Sequence, residues 1–107
     1  MKSWPNFLLT KMNKSDWLEH VSSLGCCVCK RLGLGYVPAQ VHHVAEGSGL
    51  RSDWSVAPLC QEHHTGKSGF HSRGKSFLKQ FRVPGETEYG LLVWTIEDAA
   101  KQNKVGS

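Results

Sequence analysis

The chain has 107 residues, 39% of them apolar and 21% charged, and 13 Lys and Arg against 9 Asp and Glu give it a formal net charge of +4. That length suits one domain with a modest core, so a single domain is expected over a multidomain architecture, with help from a metal, a disulfide or a partner. No apolar run approaches the roughly 20 residues needed to span a bilayer. Met1 to Thr10 lacks the apolar stretch and cleavage site of an export signal, so the expected setting is the cytoplasm, with no membrane partner.

The chain opens on a lead-in, with Trp4-Pro5-Asn6 reading as a turn and residues 1–11 expected to be flexible. A first helix is predicted from about Ser15 to Leu24. Ser15 would cap it, Asp16 and Glu19 suit its positive end, and Trp17, Val21 and Leu24 share one apolar face. Gly25 can end it in a left-handed conformation. Cys26-Cys27-Val28-Cys29 and the glycines up to Tyr36 read as a knuckle and loop. Gln40 to Val44 and Trp54 to Leu59 read as two short strands around a glycine-bearing loop. A helix opening near Gln61 is kept short by Gly66 and Gly69.

Lys75 to Arg82 suits another short helix, with Phe77, Leu78 and Phe81 inward. Pro84-Gly85 is a turn. A last helix is expected over Thr87 to Gln102, with Thr87 as cap and Tyr89, Leu92, Val93, Ile96 and Ala100 on its apolar side. The β-formers of Leu91 to Ile96 leave a strand as the alternative, which the helix formers of Glu97 to Gln102 outweigh. Residues 103–107 read as a frayed tail. The whole is one α+β domain, 1–107, with its core at about 12–100.

The densest chemistry is Cys26-x-x-Cys29 together with Cys60-x-x-His63. Each pair can turn two ligands to one side, and four ligands close a tetrahedral zinc site. Adjacent Cys26 and Cys27 and the missing export signal argue for metal over disulfides. The plainer alternative is a set of buried reduced thiols. Cys27 reads as a small buried hydrophobe, or as a replacement for Cys26 in a distorted knuckle.

Five of the six histidines lie between positions 42 and 71. His42 and His43 are adjacent on a strand, so they face opposite ways. His42 and His64, with His71 as a third ligand, make a reasonable second metal site whose open positions could admit water and phosphate. His20 reads as surface or satisfied core. Between His63 and Gly85 there is no Asp or Glu, while Lys67, Arg73, Lys75, Lys79 and Arg82 all fall there. Such a tract is either an ordinary solvated face or a set of phosphate contacts.

These pieces, in this order, resemble the HNH (ββα-metal) nucleases. Within them they most resemble the Ref family of phage recombination-enhancement nucleases, named for RecA-dependent DNA cleavage. The resemblance rests on Leu24-Gly25-Cys26-Cys27-Val28-Cys29, Val41-His42-His43-Val44, Ala57-Pro58-Leu59-Cys60-Gln61-Glu62-His63-His64 and Phe70-His71. It implies a small zinc-stapled ββα-metal domain with flanking helices. Cys26, Cys29, Cys60 and His63 would hold a structural Zn²⁺. His42 and His64, with His71, would hold a catalytic Mg²⁺, Mn²⁺ or Zn²⁺. His43 would be the general base, and the products would carry a 5′ phosphate and a 3′ hydroxyl. Implied partners are DNA and a RecA filament, with the protein acting as a monomer.

One position departs from that pattern. The central Asn of HNH has no exact match: Ser55 sits near its place and Asp53 precedes it. Either could brace the loop, and Asp53 could instead assist the metal or the base. The long basic lead-in arm is also missing. Two other readings stay open: a zinc-stabilised DNA-binding module without catalysis, and an interaction protein that docks on a recombinase filament through Trp4 or Trp94.

Overall fold

The computed structural model describes residues 12–45 and 51–106, with side chains only as far as Gln102 in the last helix. Its first helix, α1 (Lys14–Ser23), is capped by Asn13 and not by Ser15. The Asp16 N–H donates to Asn13 Oδ1 at 2.8 Å, and the Asn13 N–H donates back to Asp16 Oδ2 at 3.3 Å. This reciprocal box needs an acidic partner three residues on, which Asn13 has in Asp16. Val21 and Leu24 are buried and Trp17 is half-buried, as the helical spacing predicts. Gly25 has φ +83°, and a Cβ there would sit 2.7 Å from the Tyr36 ring, so both conformation and space call for glycine.

Helix α2 (Cys27–Arg31) forms the knuckle, and the Cys29 N–H donates to Cys26 Sγ at 3.5 Å. Strands β1 (Gln40–His43) and β2 (Val56–Leu59) pair antiparallel, with His42 opposite Ala57 and His43 opposite Val56. The second strand starts two residues later than expected because Trp54 and Ser55 are spent on the loop mouth. The Val44 N–H donates to the Ser55 carbonyl at 2.8 Å, and Ser55 Oγ donates to the Val44 carbonyl at 3.1 Å. Gly47 and Gly49 of that loop, like the Trp4-Pro5-Asn6 turn, lie outside the described residues.

Three short helices follow: α3 (Gln61–His64), α4 (Phe70–Arg73) and α5 (Lys75–Gln80). Helix α5 stops before Arg82, whose φ of +55° leaves helical space. Phe77 and Leu78 are buried, while Phe81 is half-buried. A 3₁₀ turn over Pro84–Glu86 leads to α6 (Tyr89–Gly106), which runs past the expected end at Gln102.

Helix α6 turns a different face inward from the one the apolar pattern predicts. Leu91, Trp94, Thr95 and Asp98 are buried, whereas Tyr89, Val93, Ile96 and Ala100 are exposed and Leu92 is half-buried. The cause is polar. Arg31 of the knuckle donates to Asp98 Oδ2 at 2.7 Å and to Glu97 Oε1 at 3.2 Å, and its guanidinium lies 4.9 Å from the centre of the Trp94 ring. Thr95 Oγ1 donates to the Leu91 carbonyl at 2.8 Å, so its hydroxyl is satisfied within the helix. These contacts make a buried stripe containing Asp and Thr affordable.

Helices α1 and α6 both pack on the small sheet, and α2 bridges β2 and α6. The result is an α+β fold in which β1 carries His42 and His43 and α3 carries His63 and His64. No helix among the described residues is long and apolar enough to cross a membrane.

Candidate metal centres and active site

Cys26 and Cys29 arrive from the α2 knuckle, and Cys60 and His63 from the first turn of α3. All four are buried, and their ligand atoms lie within 4.8 Å of one another. His63 Nδ1 is 3.6 Å from Cys26 Sγ, 3.5 Å from Cys29 Sγ and 3.3 Å from Cys60 Sγ. Cys29 Sγ and Cys60 Sγ are 3.8 Å apart. Tetrahedral zinc, with sulfur at about 2.3 Å and nitrogen at about 2.0–2.1 Å, requires S···S near 3.8 Å and S···N near 3.6 Å. The four residues therefore fit a divalent metal such as zinc.

Burial pushes the Cys29 thiol up to about 12 and raises Cys26 as well. Cys26 and Cys29 so disposed stay protonated unless a cation offsets the cost of ionising them. Burial also lowers the pKa of His63, which keeps its ring neutral and able to ligate. The ring stands edge-on to Phe81 at 5.1 Å. Cys27 lies outside the group; burial drives its pKa far up, and Arg31 and Asp98 are its charged neighbours.

A second group joins three elements. His42 of β1, His64 of α3 and His71 of α4 each bring a ring nitrogen within 4.8 Å of the others. His64 Nε2 and His71 Nε2 are 3.1 Å apart. Two nitrogens bound to one metal at about 2.0–2.1 Å sit at such a separation. Burial is graded across the group: His42 is buried, His64 half-buried and His71 exposed. One side is thus walled off and the other faces solvent. Burial, then the neighbouring histidines, pushes His42 down to about 3, and burial lowers His64 too. Both rings are neutral near pH 7, as ligands must be.

Gly69 makes the approach of α4 possible. A Cβ there would lie 2.7 Å from the His64 carbonyl, in backbone that cannot step aside. Two partners of the group carry no sequence signal of their own. Gln40 Oε1 is 2.8 Å from His64 Nδ1, and Glu88 Oε2 is 2.6 Å from His42 Nε2.

His43 is not in the three-histidine group. The strand turns its ring the other way, where Nε2 lies 2.8 Å from Asp53 Oδ1. That bond, ahead of any other influence, lowers the Asp53 pKa. Asp53 thus faces the candidate base, and Ser55, two residues on, ties the loop to Val44. His20 is half-buried in α1, and its Nε2 has no hydrogen-bond partner among the described residues. Lys67, Arg73, Lys75, Lys79 and Arg82 are all exposed, and Arg73 bonds Gln80. Trp94 is buried, which removes it as a docking contact, and Trp4 lies outside the described residues.

No curated protein and no solved structure matches the chain. A family model does, over residues 10–100, described as recombination enhancement, RecA-dependent nuclease. The match takes in every cysteine and histidine of both groups, together with Asp53 and the basic tract. This chain belongs to the family of RecA-dependent, recombination-enhancement nucleases.

Proposed function

We propose that this protein is a metal-dependent DNA endonuclease of the HNH (ββα-metal) type, working in phage- or prophage-linked recombination on DNA held in a RecA filament. The observation that carries the reading is the placement of two consecutive strand residues. His42 joins His64 and His71, and His43 joins Asp53. A metal-ligand group and an oriented imidazole thus meet on one strand, the pairing of Lewis acid and general base that metal-assisted phosphodiester hydrolysis uses.

The geometry supports the following roles. Asp53 accepts the Nε2–H of His43, which leaves Nδ1 as the acceptor for a proton from an attacking water. The anionic Asp53 also favours the imidazolium that results. His42, His64 and His71 would hold a divalent metal. When bound, it supplies Lewis-acid neutralisation of charge on the phosphate and the leaving 3′ oxygen. Cys26, Cys29, Cys60 and His63 hold a structural zinc that supplies stability the small core lacks. Lys67, Lys75, Lys79, Arg73 and Arg82 grip phosphates without reading sequence. The protein acts as a monomer in the bacterial cytoplasm.

Cleavage of plasmid and single-stranded DNA tests this, with Mg²⁺, Mn²⁺ or EDTA, on free DNA and on RecA filaments. Metal-dependent cleavage that rises in filaments is the expected result. DNA binding with no cleavage in any condition, by zinc-loaded folded protein, would favour a zinc-stabilised binding module instead.

A further inference from the structure

We propose that Glu88 is a positioning residue for the metal site, holding His42 with its Nε2 protonated so that Nδ1 faces the metal. This rests on the three-histidine reading above and adds a residue to it. Glu88 stands 46 positions beyond His42, outside every motif in the sequence.

Both groups are buried, and their atoms are 2.6 Å apart. With Glu88 ionised, its carboxylate can only accept, which places the shared proton on His42 Nε2. A neutral imidazole has one ring proton, and Nδ1 is then left with its lone pair. At His64 the opposite nitrogen is fixed. Gln40 Oε1 at 2.8 Å takes Nδ1–H, and Nε2 turns to His71. Two ligand rings are thus locked in opposite tautomers by partners outside the ligand set. Outer partners of this kind orient ligands and raise their basicity.

The position of Glu88 is itself well determined. Its carbonyl accepts the Leu91 N–H at 3.0 Å in the first turn of α6. Two residues on, a Cβ at Gly90 would lie 2.2 Å from the Pro84 carbonyl, so only glycine lets α6 start where it does.

The test is Co²⁺ titration of the zinc-loaded chain, read by absorption and without DNA. Glu88→Ala is expected to weaken Co²⁺ binding about 10- to 100-fold. Glu88→Gln, which keeps an acceptor oxygen, is expected to stay within a few-fold of wild type. Zinc content and circular dichroism report folding. Wild-type affinity in Glu88→Ala overturns the proposal, and so does equal loss in both variants, which would mean direct ligation. Nitrogen-15 NMR of the wild-type histidines gives an answer that needs no variant: a His42 proton on Nδ1 overturns it. Failure of the wild type to bind Co²⁺ beyond its zinc would sink the three-histidine reading itself, a distinct result.

Discussion

His63 and His64 are consecutive residues of α3, yet their rings belong to different groups. His63 Nδ1 lies 3.3 Å from Cys60 Sγ, and His64 Nε2 lies 3.1 Å from His71 Nε2. Consecutive helical residues point about 100° apart, so one short turn can serve two sites. The same division occurs on β1, where His42 and His43 face opposite ways. The metal-ligand turn and the candidate catalytic group therefore share a backbone.

That sharing predicts that a metal held by Cys26, Cys29, Cys60 and His63 is a condition for the second site. A structural zinc contributes on the order of 10 kcal/mol, comparable to the entire stability of a small domain. Cys29→Ser or Cys60→Ser should abolish cooperative unfolding and Co²⁺ binding by the histidines together. Thermal melts with metal analysis check this. A variant lacking zinc but melting like wild type would contradict it.

Acid should weaken the fold through His42. Its folded pKa lies near 3 and its unfolded value near 6.5. Between those values the unfolded chain binds a proton that the folded chain refuses, so stability falls as pH drops through the window. The melting temperature should decline from pH 7 to pH 5. His42→Asn, which does not titrate, should show a shallower decline. Equal slopes in the two proteins would remove His42 as the cause.

The Arg31–Asp98 pair predicts a cost unrelated to chemistry. Asp98 is almost fully enclosed, at 4% side-chain exposure, and Arg31 is at 24%. Breaking a buried pair costs about 3–5 kcal/mol, and the partial exposure of the guanidinium reduces this to about 1–3 kcal/mol. Arg31→Ala should lower the melting temperature by several degrees and leave cleavage per folded molecule unchanged. Loss of cleavage without loss of stability would place Arg31 at the site.

Lys75 and Lys79 are exposed on α5, within the stretch that lacks acidic residues. If each neutralises one phosphate, replacing it by Ala should lower the salt slope of DNA binding by about 0.7–0.9. Binding isotherms at several salt concentrations, with a cleavage-dead variant, measure the slope. An unchanged slope would mean an ordinary solvated face.

How much of this the sequence discloses depends on the reach of each interaction. The Cys26, Cys29, Cys60 and His63 spacings are local, so their convergence is legible from the chain. The α1 face at Val21 and Leu24 follows from helical period alone. The cap at Asn13 is missed because Ser15 is an equally good capping type, and only the reciprocal bond with Asp16 decides. The inward face of α6 is missed because Arg31, 67 positions from Asp98, outweighs the apolar pattern. Glu88 is invisible for the same reason: its partner His42 is distant in sequence, and a lone Glu before a helix looks like a first-turn charge.

The most direct measurement is single-turnover cleavage of DNA in preformed RecA filaments with Mn²⁺, wild type against His43→Ala. A general base contributes about 10²- to 10⁴-fold. The variant should lose at least the lower figure while keeping its zinc and its melting temperature, and Asp53→Asn should fall between the two. A His43→Ala protein that cleaves at the wild-type rate would contradict the assignment of the base, and with it the nuclease mechanism proposed for this site.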